Sequence, residues 1–298
     1  MDLRQRITEF AMPASMEVTS HDREARRQLV GQLAAGTPIY IAHTPNSTVV
    51  DVAEAACEVE SDGFRAFPHL VARRIPDQRS FVDALGRLKA GGIDRALLVA
   101  GDLRPPAGPF ESTLDLLATG ALEAHGIRTL GVAGHPEGHQ RVEDSVLWQA
   151  LQEKQRYADR TGATLYIVTQ FSFDADAVTG WVRRLDHEGI RLPVHVGIMG
   201  PATLATLIRY AKVCGVGASL QALLTNANTL KLMRNLKASA EEMLLAMARA
   251  REGALATRVV KPHFFAFGGV AQTARWLQAI RDGAFELDAD GDSFTVRR

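Results

Sequence analysis

Polar side chains able to exchange protons follow a series of short apolar runs in this sequence. Seven of them stand at or just beyond the ends of six successive runs: Glu17, His43, His69, Asp102, His135, His139 and Gln170. A carboxyl group whose pKa is raised by burial can donate a proton near neutral pH, while an ionised carboxylate can stabilise a cation that forms beside it. Imidazoles and an amide add hydrogen-bond donors and acceptors. The pattern therefore predicts acid–base chemistry at one edge of a parallel sheet.

Several of these residues also have an ordinary structural interpretation. Glu17 could be a charge on the exposed side of a strand, Asp102 a turn or cap residue, and His69 a buried histidine with satisfied hydrogen bonds. The histidines of the segment 135–139 have the spacing of a metal-binding pair. Proline and glycine between them break the helix that such a pair needs, and no third ligand is evident, so we expect no metal site. The phenylalanines at 264–265 are expected in the core.

Eight apolar runs are the predicted strands: Ser15–Thr19, Pro38–His43, Phe64–Leu70, Arg95–Ala100, Arg128–Ala133, Thr164–Phe171, Pro193–Ile198 and Val259–Ala266. Several are apolar at nearly every position, as expected of strands covered on both faces. Amphipathic stretches lie between the runs, and glycines mark the return from helix to strand. Strands that alternate with helices are parallel and joined by helical crossovers. Eight such units predict a single (β/α)8 barrel that occupies residues 1–298 as one domain.

The helical stretches include Asp22–Ala35, with Ser20 as a plausible N-cap, and Glu111–His125. Extra helices are expected between strands seven and eight, over Ala202–Val213, Gln221–Lys231 and Ala238–Leu255. The rival architecture is a doubly wound open sheet. No Gly-x-Gly-x-x-Gly follows any predicted strand and no change in composition divides the chain, which favours the barrel.

Composition excludes several classes of protein. The chain is 46% hydrophobic and 23% charged, and its 34 Lys and Arg residues balance 34 Asp and Glu residues, so it lacks the basic character of a nucleic-acid binder. Its apolar runs are far shorter than the ~20 residues that a membrane span needs. Residues 1–9 lack the apolar segment of a signal peptide, and the two cysteines, Cys57 and Cys214, suit a reducing cytosol. We therefore expect a cytoplasmic protein.

Seven segments follow one another in the order of a known family: SMEVTS (15–20), FPHLVAR (67–73), LVAGDLRPPAG (98–108), GVAGHPEGH (131–139), YIVTQFSFD (166–174), VGIMGP (196–201) and VKPHFFAF (260–267). Together they resemble the methylenetetrahydrofolate reductase family, flavin-dependent (β/α)8 enzymes of one-carbon metabolism. The resemblance spans almost the whole chain. Each segment alone is weak, and their joint order and spacing carry the specificity.

The resemblance implies roles for residues at matched positions. The family's strand-one acid falls on Glu17, and its aspartate beside flavin and pterin falls on Asp102, which makes these two the predicted catalytic residues. The remaining matched positions are predicted contacts: His69, Gly101 and His139 to the flavin, and Gln170 and Tyr210 to the folate. His43 and His135 differ from the family's residues and are expected to contact the flavin by stacking or by hydrogen-bonding its diphosphate.

The implied reaction is reduction of 5,10-methylenetetrahydrofolate to 5-methyltetrahydrofolate, with NADH or NADPH as electron donor and bound FAD as cofactor. Such an enzyme belongs to one-carbon metabolism and methionine biosynthesis. Glu17 would protonate the departing nitrogen of the folate ring, and Asp102 would stay ionised beside the pterin. The substrate partner is thus a small molecule, with no nucleic acid or membrane involved, and we expect a homo-oligomer.

Three further departures from the family remove cations from the flavin site. Ala100 and Gly269 stand where the family has arginines. The lysine expected just before strand six is absent from 157–162, although Lys154, Arg156 and Arg160 lie nearby. Because cations bind the FAD diphosphate, we expect FAD to bind weakly. The alternatives are a folate reductase that works without flavin, and a folate-binding or methyl-transfer barrel without redox activity.

Overall fold

The computed structural model describes residues 2–203, 206, 209–210, 238–267, 269–289, 291 and 293–297. Eight parallel strands form one closed barrel in chain order: β1 (Ser15–Thr19), β2 (Pro38–Ala42), β3 (Arg65–Val71), β4 (Arg95–Val99), β5 (Thr129–Gly134), β6 (Thr164–Thr169), β7 (Val194–Met199) and β8 (Val259–Phe265). An antiparallel hairpin, β9 (Phe285–Leu287) and β10 (Phe294–Val296), follows. The predicted (β/α)8 barrel is confirmed.

The described helices are α1 (Leu3–Ala11), α2 (Arg23–Arg27), α3 (Val49–Ser61), α4 (Gln78–Ala90), α5 (Thr113–Ala118), α6 (Ala121–Ala124), α7 (Asp144–Thr161), α8 (Ala175–His187), α9 (Ala238–Ala250), α10 (Ala254–Arg258) and α11 (Val270–Arg281). A 3-10 turn, Ala72–Arg74, follows β3. Helices α9 and α10 lie between β7 and β8, as expected for the extra helices.

Two predicted helices are shorter than expected. Asp22–Ala35 reduces to α2, and Asp22 rather than Ser20 caps it, since the Ala25 N–H donates to the Asp22 carboxylate. Gly31 has φ +81°, which the continuing helix could not contain. Glu111–His125 is divided into α5 and α6 at Gly120, whose φ of +67° is left-handed. In both cases one glycine ends a helix whose apolar pattern continues.

Two helices and a two-stranded hairpin were not predicted. Helix α3 begins at a capping box, Thr48 with Asp51, which the sequence displays, but its first turn is rich in β-branched valines. Helix α1 and the hairpin β9–β10 also went unpredicted. The predicted helix Gln221–Lys231 and most of Ala202–Val213 lie outside the described residues. None of the helices in the described ranges is long and apolar enough to cross a membrane.

The interior of the barrel is more polar than the strand pattern suggests. Aliphatic layers usually fill such barrels. Here the inward side chains include Tyr40 and Tyr166, whose hydroxyls are 2.8 Å apart across the barrel. Phe67 stacks on Tyr40 with ring centroids 4.6 Å apart. The aliphatic core lies between the strands and the surrounding helices, so the barrel interior is free to carry functional groups.

Candidate active site

Glu17 lies inside the barrel between two imidazoles. Its Oε2 is 3.5 Å from His69 Nε2 on β3 and 3.7 Å from His263 Nε2 on β8. The Glu17 side chain is 21% exposed, while His263 is fully buried. These contacts contradict the interpretation of Glu17 as a surface charge, and they bring the predicted pair Glu17 and His69 together.

Burial controls the charge of this group of three. It raises the pKa of Glu17, and the nearby His69 only partly offsets this effect. Burial also lowers the pKa of His69 to about 4 and that of His263 to about 3. Both imidazoles are therefore neutral at pH 7, so they do not stabilise a Glu17 carboxylate as cations would. A carboxyl group in this environment is suited to carry a proton that it can donate.

The sequence did not reveal the deeper members of this interior. His263 and Lys261 alternate along β8, and His195 lies beside Lys261 in the strand register. The His195 ring stacks on Tyr166 with centroids 4.2 Å apart. Burial lowers the pKa of Lys261 to about 8. The signal was the spacing of two in the segment 260–267, which places Lys261, His263 and Phe265 on one face of the strand.

A basic corner lies beyond β5. The rings of His135 and His139 meet edge to face with centroids 5.2 Å apart. Burial first, and then the positive charges of His139 and Lys154, lower the pKa of His135 to about 4. Lys154 on α7 is buried, which lowers its pKa to about 8. Within the described ranges, no three His, Cys, Asp or Glu residues are arranged to hold a metal ion.

The two ring nitrogens of His43 have different surroundings. Its Nε2 lies 2.9 Å from the Ser47 carbonyl, which can only accept, so Nε2 carries the proton and Nδ1 is left bare. Nδ1 is buried and lacks a hydrogen-bond partner among the described residues. Burial lowers the pKa of His43, which keeps the ring neutral. A bare, buried acceptor nitrogen just beyond the end of β2 is suited to a ligand that donates a hydrogen bond.

Asp102 has a very different environment. Its side chain is 71% exposed, and Oδ1 accepts a hydrogen bond from Arg74 Nη2 at 3.2 Å. The preceding Gly101 has φ +86°, and a Cβ there would lie 2.5 Å from Val71 Cγ1, so this position requires glycine. The structure thus pairs Asp102 with Arg74 at the rim and does not bring it into contact with Glu17.

The motif around Gln170 is partly structural. The Gln170 Oε1 accepts from the Phe171 N–H at 3.1 Å, which leaves the side-chain NH2 to donate to a ligand. Gly197 on β7 must be glycine, because a Cβ there would lie 2.3 Å from the Thr169 carbonyl oxygen. Asp174 caps α8 by accepting from the N–H groups of residues 176 and 177. Gln170 therefore keeps a side-chain hydrogen-bond donor for binding.

Five aromatic rings contact one another in a single cluster: Phe171, Phe173, Tyr210, Phe265 and Phe267. Tyr210, a predicted substrate contact, packs on Phe267 with centroids 4.4 Å apart. Phe267 has φ +46°, a strained conformation for a bulky residue. The expectation of a core pair at 264–265 holds for Phe264, which is fully buried, whereas the Phe265 ring belongs to this aromatic cluster.

Comparison with known proteins now decides the family. A methylenetetrahydrofolate reductase family model matches residues 8–250. The chain belongs to the methylenetetrahydrofolate reductase family. "Methylenetetrahydrofolate reductase 1" of Schizosaccharomyces pombe is 36% identical over 87 residues, 29% of this chain and 14% of that protein. The chain therefore matches only a small part of that curated relative.

A solved structure shows the same fold. An uncharacterized protein from Clostridium thermocellum, described as binding two copies of 5-methyl-5,6,7,8-tetrahydrofolic acid, superposes with a TM-score of 0.57 at 13% identity. The match covers 92% of this chain and 99% of that one. For this member of the methylenetetrahydrofolate reductase family, the likeness supports the barrel fold that the strand order already shows.

Proposed function

We propose that this protein reduces 5,10-methylenetetrahydrofolate to 5-methyltetrahydrofolate with electrons from NADH or NADPH. The observation that carries the proposal is the Glu17 carboxyl held between two neutral imidazoles, with its pKa raised by burial. Folate reduction of this kind needs an acid near neutral pH. Membership of the methylenetetrahydrofolate reductase family supports the reaction class, and the folate named for the C. thermocellum barrel supports the ligand class.

In the proposed step, Glu17 donates its proton to the folate nitrogen that leaves the methylene bridge. The Glu17 O–H bond breaks, an N–H bond forms, and the C–N bond of the five-membered ring opens to a cationic iminium. A hydride then adds to the methylene carbon and gives the methyl group. Water returns the proton to Glu17. The burial that raises the Glu17 pKa favours the protonated acid for the next cycle.

Gln170 and the aromatic cluster would hold the folate. The free NH2 of Gln170 can donate to an acceptor on the pterin edge. Tyr210 and Phe267 offer ring faces on which a planar heterocycle can stack. Asp102, at the rim, would accept from pterin N–H groups and stabilise the iminium, with Arg74 holding its carboxylate in place. These groups bind and orient, while Glu17 handles the proton.

The residues also fit FAD, which supplies hydride transfer when bound. Whether this protein can hold FAD depends on which cations and hydrogen-bond donors its residues offer to the diphosphate. Lys154 is a buried amine with no ion pair or hydrogen bond to any described residue, and its charge acts on His135. A buried cation without a counter-charge suits a diphosphate. The bare Nδ1 of His43 and the ring of His69 would contact the cofactor, and His139 would lie beside His135. Gly101 would let the backbone approach closely. Since Ala100 and Gly269 supply no cation, we propose weak FAD binding.

The test is product formation by the purified protein. 5-Methyltetrahydrofolate is measured by chromatography with NADH or NADPH, with and without added FAD. Formation that increases saturably with FAD supports the proposal in full. Formation that FAD does not affect would mean that hydride passes directly from nicotinamide to folate. No product under any condition, with folate still bound, would make this a folate-binding or methyl-transfer barrel and overturn the proposed activity.

Three further proposals accompany this function. We propose a homo-oligomer, a cytoplasmic location and a single catalytic domain over residues 1–298. A role in methionine biosynthesis follows if 5-methyltetrahydrofolate is the product. Size-exclusion chromatography with light scattering tests the first of these directly, and a monomeric mass would contradict it.

A further inference from the structure

His263 was not predicted from the sequence and has no role in the reaction as described so far. Its ring is fully buried, and its Nδ1 lies 2.9 Å from the Ser15 hydroxyl. Tyr40 and Phe265 meet the ring edge to face, with centroids 4.5 and 5.0 Å away. The remaining nitrogen, Nε2, faces Glu17 Oε2 at 3.7 Å and has no hydrogen-bond partner among the described residues. The ring is thus fixed in orientation with one polar atom unused.

Ser15 determines which nitrogen of His263 carries the proton. The Ser15 side chain is fully buried, and His263 Nδ1 is its hydrogen-bond partner within the described ranges. A buried hydroxyl must place its proton on an acceptor. Nδ1 therefore accepts from Ser15, and the neutral imidazole carries its own proton on Nε2. The Nε2–H faces Glu17 Oε2, one of the two oxygens that share the carboxylate charge once the acid has given up its proton.

Other titratable groups around this pair come from three strands. They are Tyr40 and His43 on and after β2, His69 on β3, and Lys261 on β8. His69 reaches the same Glu17 oxygen from the other side at 3.5 Å. Tyr40 and the imidazoles are neutral at pH 7 because burial disfavours their charged forms. Among these groups in the described ranges, His263 is the one whose ring is held by Ser15, which lies on the same strand as Glu17.

We propose that His263 is a positioning residue for Glu17, held in one tautomer by Ser15. Its Nε2–H donates to Oε2 of the carboxylate, which leaves Oε1 as the oxygen that faces the substrate. The contact is longer than a hydrogen bond in the present geometry and shortens when Glu17 ionises. His263 then lowers the cost of the charge that Glu17 bears between donating one proton and receiving the next. The inference rests on the proposed function for its role in turnover, but not for the contact itself.

Two substitutions separate positioning from packing. In His263→Asn the amide matches Nδ1, so it keeps the Ser15 hydrogen bond and loses the group that faces Glu17. In His263→Gln the amide matches Nε2 and keeps a donor toward Glu17. Ser15→Ala removes one hydroxyl, so that either nitrogen of His263 can carry the proton. This variant tests the same claim if His263→Asn does not fold. The first readout needs no substrate. The infrared band of the protonated Glu17 carboxyl is assigned by its loss in Glu17→Gln, and its disappearance as pH rises gives the pKa of Glu17.

The three variants are expected to shift the pKa of Glu17 by different amounts. His263→Asn raises the pKa of Glu17 by about one unit because the carboxylate loses a donor. Ser15→Ala raises it by less, and His263→Gln leaves it close to the wild-type value. The pH profile of folate reduction should shift in the same order. Equal shifts in His263→Asn and His263→Gln, or no shift in either His263→Asn or Ser15→Ala, would overturn the proposal.

The two readouts also separate this proposal from the proposed function. Infrared shifts in a protein that does not reduce folate would leave the positioning role standing and remove the reaction. Folate reduction together with a Glu17 infrared band that titrates at the same pH in every variant would leave the reaction standing and remove the positioning role.

Discussion

The two acidic residues that the sequence predicts as catalytic lie in opposite environments. Glu17 is 21% exposed inside the barrel between neutral imidazoles, whereas Asp102 is 71% exposed at the rim beside an arginine. Burial raises the pKa of the first. The second has a guanidinium partner and water around it. One position is suited to hold a proton and the other to hold a negative charge, so their environments, and not their chemical type, divide the labour between acid and ligand.

The largest expected effect is at Glu17. Glu17→Gln keeps the size and hydrogen bonding of the side chain but has no acid proton, so folate reduction should fall about 10²–10⁴-fold. Transfer of electrons from NADH to an artificial acceptor should survive, because that step needs no proton from Glu17. Stopped-flow absorbance measures both rates. Glu286→Gln, on the exposed hairpin, is the matched control. Normal folate turnover in Glu17→Gln would remove the assignment.

The second prediction concerns acid stability. His69, His135 and His263 have pKa values lowered to about 4, 4 and 3 in the folded chain. The unfolded chain binds protons at these positions below about pH 6.5, and the folded chain does not. The free energy of unfolding should therefore fall as pH decreases from 6.5 to 4. Once the solution pH is well below 6.5, and while it is still above the folded pKa, each histidine should contribute a fall of about 1.4 kcal/mol per pH unit.

Glu17, whose folded pKa is raised, opposes this loss above its ordinary pKa of 4.5. Urea unfolding at pH 7 and pH 5 measures the net difference. His135→Asn should reduce that difference, and His187→Asn, on an exposed position of α8, is the comparison variant. A free energy of unfolding that is unchanged or higher at pH 5 would contradict the buried, neutral state of these imidazoles.

The third prediction concerns the basic corner. Lys154→Met keeps the length of the side chain and removes its charge, so FAD should bind about 10- to 100-fold more weakly, as expected from one lost charge-assisted contact. Quenching of flavin fluorescence on titration measures the affinity. Lys89→Met, exposed on α4, should leave it unchanged. Equal FAD affinity in wild type and Lys154→Met would mean that the buried amine does not face the diphosphate.

The smallest effect is expected at Asp102. Asp102→Asn removes a charge that is already solvated and paired with Arg74, so folate affinity should weaken only about two- to fivefold. Flavin reduction should also become easier without a negative charge nearby. Asp94→Asn alters another exposed, arginine-paired aspartate as a control. If isothermal titration shows no change in folate affinity and the flavin is reduced at the same rate, Asp102 is a turn residue.

The sequence was a good guide to the strands and a poorer guide to what lies inside them. Runs such as Ser15–Thr19 were predicted with their observed bounds because a strand covered on both faces is apolar throughout. Helix ends were less predictable, since Gly31 and Gly120 stop helices that the apolar pattern would continue.

The site was predictable where polar residues stand at the ends of predicted strands. Glu17 and His69 were found in this way, in segments that also match the family, and the structure brings them together. His263 lies in a matched segment, but its role depends on the register of β8 against β1, which places Ser15 opposite His263, and the sequence does not display that register. Lys154 was noticed only as a neighbour of a missing residue, because burial and proximity to His135 are properties of the fold.

The central claim is that Glu17 donates the proton from a buried carboxyl group. Its most direct test is the pH dependence of folate reduction in a single turnover. Since activity requires the protonated acid, the account predicts a rate that falls tenfold per unit as pH rises above the Glu17 pKa, with a midpoint above the ordinary value of 4.5. The residual rate of Glu17→Gln should not show this fall. A wild-type rate independent of pH, or the same fall in Glu17→Gln, would contradict the account.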